Sequence, residues 1–278
     1  MDISFAESII YAFVSAIAEF MPISSLAHEQ ILLKLFGMQQ IHPLMQLFVH
    51  GGMLFALIFS CKGALRHMNR ENQLLKISVR RRKRQPDPQV VSDISFVKVA
   101  CIPIVLGFLF FFSINKLENR LPLSAAMLAV NGLLLHIPIY FSTGNKDSRS
   151  MTRIDSFMFG VSSSVGIIPG LSRIGLAGSY ASLRGADFNH TYKWCLLLSI
   201  PTLAMLLLCD IVQLFSASYA GFYFLFVLQC IFAAAVAFLG AMMIIRLMRF
   251  YISKNGMSVF SYYCWGAALF AFILYLYT

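Results

Sequence analysis

The chain has 278 residues, of which 59% are hydrophobic, 12% are charged, and the formal net charge is +10. A water-soluble domain is roughly 45–50% apolar, so this balance excludes one or two soluble domains and points to a chain that crosses a membrane several times. The apolar runs are too long and too numerous for β-barrel strands, which leaves α-helices as the spanning elements.

Residues 3–17 form a helical apolar segment that breaks near Pro22, and residues 23–36 form a second short arm containing His28, Glu29 and Lys34. Neither arm reaches the ~20 apolar residues needed to cross, and a proline separates them, so a re-entrant hairpin fits better than a span. Asp2 stands where a signal peptide carries positive charge, so the segment is expected to stay in the mature protein. The first clear span is 43–61, with His50, Gly51 and Gly52 at its middle. A basic loop follows at 62–95. Between Lys62 and Lys98 ten Lys or Arg face three acids, which accounts for +7 of the net +10, and the centre, Arg80 to Arg84, reads RRRKR. One basic loop in an apolar chain is the signature of a cytoplasmic connection. Anionic lipid headgroups are its expected partners, and nucleic acid is not expected.

Spans at about 96–113 and 122–141 complete a first half, residues 1–141. The polar stretch 142–156 reads as a linker into a second half, 142–278. That half opens with another interrupted apolar segment, 157–182, and closes with spans at about 191–214, 221–246 and 258–277. Shifting the chain by 147 residues lays Val14 and Ser15 on Val161 and Ser162, Pro22 on Pro169, and Ser25 on Ser172. Each interrupted stretch precedes three spans, an odd number, so the second unit would enter the membrane in the opposite sense. The expected fold is an all-α integral membrane protein with six transmembrane helices and two re-entrant helical hairpins in an inverted repeat. With the basic loop inside, the turns at 114–121 and 215–220 face outward. The six cysteines lie in or beside apolar segments without metal-binding spacing and read as core residues.

Polar residues inside apolar hairpins are costly in lipid and mark functional sites. Helix breaks at Pro22 and at Pro169–Gly170 leave free N–H groups near Ser24, Ser25, Ser172 and Arg173, and such groups attract phosphate. Arg173 adds a planar fork of donors suited to phosphate oxygens. Glu19 can hold a divalent cation, orient His28, or act as a general base. Ser25 is a nucleophile only where a base reaches its hydroxyl.

The run EFMPISSLAH, Glu19 to His28, together with PGLSRIG, Pro169 to Gly175, resembles the membrane-embedded undecaprenyl-diphosphate phosphatases of the bacitracin-resistance family. The resemblance covers nearly the whole chain and includes LSIPTLA at Leu198 to Ala204. It implies hydrolysis of undecaprenyl diphosphate to the monophosphate, which recycles the lipid carrier of cell-wall synthesis. The site would face outward in the bacterial plasma membrane. It further implies Glu19, Ser25, His28 and Arg173 as catalytic residues. Ser24, Gly170, Ser172 and Arg173 would bind the substrate phosphates, and Glu19 would hold a divalent cation, Mg²⁺ or Ca²⁺. A homodimer is compatible with it, and a polyprenyl-phosphate transporter or a non-catalytic paralogue on the same fold is the alternative. Four positions depart from the family pattern: Ser15 replaces an acid or Gln, Leu26 a Thr, Ile174 a Ser and Ala177 a Thr. Four polar groups expected to line the site are thereby altered or lost, and cation binding should weaken with the missing carboxylate.

Overall fold

The computed structural model describes residues 3–108, 121–141, 144–216 and 224–277. Among the described residues there are ten α-helices and no strands. Two pairs are short: α1 (Phe5–Glu19) with α2 (Ser25–Leu35), and α6 (Arg153–Val165) with α7 (Arg173–Leu183). At 1.5 Å per residue even α1 spans only about 22 Å, short of the roughly 30 Å hydrocarbon layer. The other six helices are α3 (Pro43–Lys76), α4 (Pro88–Phe108), α5 (Leu121–His136, prolonged by a 3₁₀ turn to Tyr140), α8 (Phe188–Ser216), α9 (Phe224–Asn255) and α10 (Phe260–Tyr277). All six are long and apolar enough to cross a membrane, so this is a multi-pass membrane protein.

Side-chain caps explain where the short helices start. Ser4 with Glu7 and Thr152 with Asp155 form capping boxes at α1 and α6, each satisfying N–H groups that have no partner within the helix. The hydroxyls of Ser24 and Ser172 cap α2 and α7. These paired caps are spaced 148 residues apart, one more than the spacing of the aligned prolines.

The basic loop expected at 62–95 is partly helical. Residues 62–76 are mostly strong helix formers without proline, so α3 continues to Lys76, and α4 begins at Pro88. Glu71 on α3, fully buried, ties the connection back to the helix, taking an ion pair from Arg84 and the Asp87 N–H at 3.1 Å. The last connection is likewise shorter than expected, because α9 runs to Asn255. The outward turns expected at 114–121 and 215–220 lie outside the described residues, apart from Leu121, Phe215 and Ser216.

The packing repeats between halves. Helix α1 lies on α9 and α6 lies on α4; α3 packs on α8 and α9, while α8 packs on α3 and α4; α5 and α10 pair with each other. Exchanging the halves maps this set of contacts onto itself. Helices α3 and α9 run parallel: a Cβ on Gly52 would meet the Ala234 carbonyl at 2.3 Å, and Arg249 donates to the Ser60 carbonyl at 3.1 Å. The start of α1 sits by the start of α9, where Gln229 donates to the Ser4 carbonyl at 3.1 Å. The residues leading into α6 sit instead by the start of α4, where Gln89 donates to Ser148 Oγ at 3.0 Å. Since the basic connection joins the end of α3 to the start of α4, the two short pairs begin at opposite ends of the bundle.

Candidate active site

Helix α1 stops after Glu19, and the backbone runs through Phe20–Ile23 before α2 begins. Freed carbonyls in an apolar interior must find partners, and all three come from distant chain segments. Tyr192 OH donates to the Phe20 carbonyl at 3.0 Å, Ser172 Oγ to that of Met21 at 3.4 Å, and Asn131 Nδ2 to that of Pro22 at 3.1 Å. Asn131 Oδ1 in turn accepts the Ser172 N–H at 2.9 Å, so one side chain on α5 ties both breaks together. Ser24 makes a second tie, its Oγ accepting the Gly170 N–H at 3.1 Å.

Two backbone positions make this approach possible. Ser24 has φ +68°, a left-handed conformation costly for a residue with a side chain. It is held by the His28 ring, whose Nδ1 lies 2.7 Å from the Ser24 carbonyl. Gly170 has φ +100°, and a Cβ there would stand 2.5 Å from the Ser124 carbonyl, so only glycine fits.

The two hairpins, with α4 and α8, line a cleft of about 40 Å³. Three predicted residues meet in it. Arg173, the first residue of α7, ion-pairs through Nη2 with Glu19 Oε1, both being largely buried. Ser25, the first residue of α2, donates from Oγ to Glu19 Oε2 at 2.8 Å. The carboxylate is therefore shared, one oxygen to the guanidinium and the other to the hydroxyl. A nucleophilic hydroxyl bonded to a base, beside an anion-binding guanidinium and two helix N-termini, is equipped for phosphoryl chemistry.

Other predicted residues fall differently. Ser24 and Ser172 line the cleft, but their hydroxyls cap helices, accepting the Ala27 and Gly175 N–H groups. Gly170 spends its N–H on Ser24 and serves the turn instead of the ligand. His28 is not brought to the cleft: Nδ1 faces the Ser24 carbonyl and Nε2 lies 2.8 Å from Tyr263 OH, with the two rings stacked at 5.7 Å. Of the four departing positions only Leu26 lines the cleft; Ser15, Ile174 and Ala177 are buried in packing. The expectation that all four line the site is corrected accordingly, because α1 and α7 turn those faces toward other helices. In their place Ser163, Ser164 and Thr202 contribute hydroxyl-bearing positions that the sequence reading passed over. Ser164 and Thr202 donate to carbonyls four residues back, at 2.9 and 2.8 Å. Asn131 was also passed over, although a carboxamide inside LAVNGLLLH carried the signal of an intramembrane polar residue.

Among the described residues no group of three or more His, Cys, Asp or Glu converges on a metal position. Glu19 is the one carboxylate of the cleft lining, and it is engaged by Arg173. That donor set does not make a resident cation cage. It fits a cation that arrives with a ligand, since Mg²⁺ is commonly held by one or two carboxylates plus substrate phosphates.

The base of the second hairpin is fastened separately. Asp155 accepts from Arg184 Nε at 2.6 Å, from the Thr152 N–H at 2.9 Å and from Tyr180 OH at 3.2 Å. Burial pushes the Asp155 carboxyl up, but the Arg184 guanidinium and the Thr152 donors outweigh it and hold the group down at about 2.

Comparison with known proteins adds an independent line. The family described as bacitracin resistance protein BacA matches residues 8–270. A protein of Thermodesulfovibrio yellowstonii named undecaprenyl-diphosphatase is 26% identical over 274 residues, covering 97% of this chain and 96% of the relative. One of the same name from Campylobacter concisus is 30% identical over 201 residues, covering 71% and 72%. A third, from Halothermothrix orenii, is 26% identical over 265 residues and covers 94% of each.

Proposed function

From a chain that belongs to the bacitracin resistance protein BacA family, we propose an integral membrane phosphatase that hydrolyses undecaprenyl diphosphate to undecaprenyl phosphate and inorganic phosphate. The observation that carries this reading is the meeting of Glu19, Ser25 and Arg173 in one cleft from opposite halves of the chain. The Arg173 guanidinium and the first turns of α2 and α7 bind the terminal phosphate. Ser25 Oγ attacks its phosphorus as the hydroxyl proton passes to Glu19 Oε2. The phosphoanhydride bond breaks, and the lipid monophosphate leaves with the bridging oxygen, which takes the proton back from Glu19. Water then cleaves the phosphoserine, Glu19 removing its proton and passing it to the departing Ser25 Oγ, and inorganic phosphate is released. A divalent cation entering with the diphosphate would lie against Glu19 and neutralise part of the ligand's charge.

The plasma membrane is the proposed location, with the cleft open to the outer side. Its α4 wall is Ile104, Gly107 and Phe108, roughly 25–30 Å along the helix from the basic end at Pro88. Basic residues mark the cytoplasmic end, so the opposite end faces out. Short helix pairs starting at opposite ends of the bundle, with a packing pattern unchanged by exchanging halves, support two re-entrant hairpins in an inverted repeat.

The test is phosphate release from undecaprenyl diphosphate by the detergent-purified protein, with and without chelator. Arg173→Ala should lower turnover by about 10³-fold or more, with Arg173→Lys recovering part of it. Unchanged release by Arg173→Ala would reject the assignment. Transfer of the lipid phosphate across vesicles without phosphate release would favour the transporter alternative.

A further inference from the structure

A second buried polar cluster lies behind the cleft, and nothing in the phosphatase mechanism uses it. Tyr11 on α1 donates from its hydroxyl to Glu29 Oε2 on α2 at 3.3 Å. His50, at the middle of α3, pairs through Nδ1 with Asp210 Oδ2 on α8 at 2.6 Å. Glu29 is within electrostatic reach of both His50 and Asp210. All four side chains are buried, with Glu29 and His50 at 9% exposure and Asp210 at 4%. Ser15, one helical turn before Glu19, is fully buried and turns its hydroxyl to the Tyr11 hydroxyl and the Glu29 carboxylate. That hydroxyl meets hydrogen-bond geometry with no group. The amide of Gln46 adjoins Tyr11 on the same side.

Charge and distance together define what the cluster lacks. It holds two carboxylates and, among the described residues, His50 is the one basic side chain ion-paired within it. With both acids ionised it is net negative even when the imidazole is protonated. An uncompensated charge in a lipid-surrounded interior is strongly unfavourable. The Tyr11–Glu29 separation of 3.3 Å is long for an O–H···O bond. It matches the roughly 3.4 Å between two oxygens that sit at right angles around a hard cation at about 2.4 Å. An unpartnered buried hydroxyl facing the same space supplies a third oxygen. Hydroxyl, carboxylate and amide oxygens select a hard cation and not a thiophilic one.

We propose that Ser15, Tyr11 and Glu29, backed by the His50–Asp210 pair, form a binding site for one alkali cation of the Na⁺ class. The ion would fasten the first hairpin to α3 and α8. Ser15 thus serves as a ligand of this separate site. The proposal does not depend on the phosphatase reading, and its test does not measure phosphate release.

The experiment is thermal unfolding of the full-length protein in detergent, titrated with NaCl against choline chloride at constant ionic strength and without substrate. A ligand that binds only the folded state raises the midpoint saturably, and a rise of about 3 °C or more at saturating Na⁺ is expected. Glu29→Gln should abolish the Na⁺-specific rise, and the milder Ser15→Ala should shift it to higher Na⁺ concentration. Equal midpoints in NaCl and choline chloride for the unaltered protein would overturn the proposal without recourse to any variant. So would an undiminished rise in Glu29→Gln, or a saturable rise given by Ca²⁺ and not by Na⁺.

Discussion

Replacing Asn131 by leucine removes the side chain that bridges the two helix breaks. The Ser172 N–H, bound at 2.9 Å, and the Pro22 carbonyl, bound at 3.1 Å, would both be left buried and unpaired. Each such group costs about 1–3 kcal/mol, giving roughly 2–6 kcal/mol together. Cys264 Sγ already reaches the Pro22 carbonyl at 3.8 Å, a weak donor that relieves some of the second loss, so the lower half of that range is expected. Asn131→Asp keeps an acceptor for Ser172 and loses only the donor to Pro22, and should fall between the two. Ser172 directly precedes Arg173, and Pro22 lies three residues before Ser25, so both side chains proposed for catalysis would shift with their hairpins. A displacement near 1 Å costs about 10²-fold in rate. Thermal unfolding and phosphate release measured on the same preparations check both effects. An Asn131→Leu protein with normal stability and normal turnover would refute the idea that this amide assembles the site.

Three further outcomes follow from the same geometry. Ser25→Ala should lower turnover by roughly 10³-fold, as loss of a nucleophile does, whereas His28→Asn should cost only about tenfold and leave the pH–rate profile in place, since His28 positions Ser24 and does not face the cleft. A His28→Asn protein that lost a limb of that profile would restore the histidine to catalysis. Gly170→Ala drives a Cβ to 2.4 Å from that of Met127 in a backbone with φ +100°, so it should destabilise by about 2 kcal/mol or more, read in the unfolding midpoint. For Asp155 the folded-state value is depressed to about 2 from 3.8, so its stabilisation is fully present above about pH 4 and is lost as pH falls toward 2. Asp155→Asn should flatten the midpoint-against-pH curve in that window, and an unchanged acid slope would show that the Arg184 clasp contributes nothing to it.

The spans were legible because hydropathy over some twenty residues is a local property, and the breaks because Pro22 and Pro169 cannot continue a helix. The opposite calculation, where a helix runs past the membrane, was not: residues 62–76 are polar enough to read as loop yet favour helix, and nothing local marks the membrane surface. The likeness of the two interrupted stretches was visible through Pro22 and Pro169, while both pairs of caps lie 148 residues apart, so the proline stands one residue earlier relative to its caps in the second stretch. Glu19, Ser25 and Arg173 stood out as polar residues at those breaks. The direction of His28 could not be read, because it is set by Tyr263, which is 235 residues away. Asn131 was visible as an oddity, but its task is defined only by two carbonyl-to-amide partners brought together from separate halves.

The shared Glu19 carboxylate gives this site its internal logic. A lone carboxylate and a lone guanidinium would each be expensive in the bilayer interior, and their pairing offsets that cost. The same pairing occupies one of the two Glu19 oxygens. A diphosphate entering the cleft competes for the guanidinium with more charge and with oxygens suited to its fork. As Arg173 turns to the phosphate, Glu19 loses its counter-charge while keeping the Ser25 hydroxyl at its other oxygen. In the proposed mechanism substrate binding and the release of Glu19 from Arg173 are thus one event, and the two groups reside on different hairpins, where neither half could make the exchange alone.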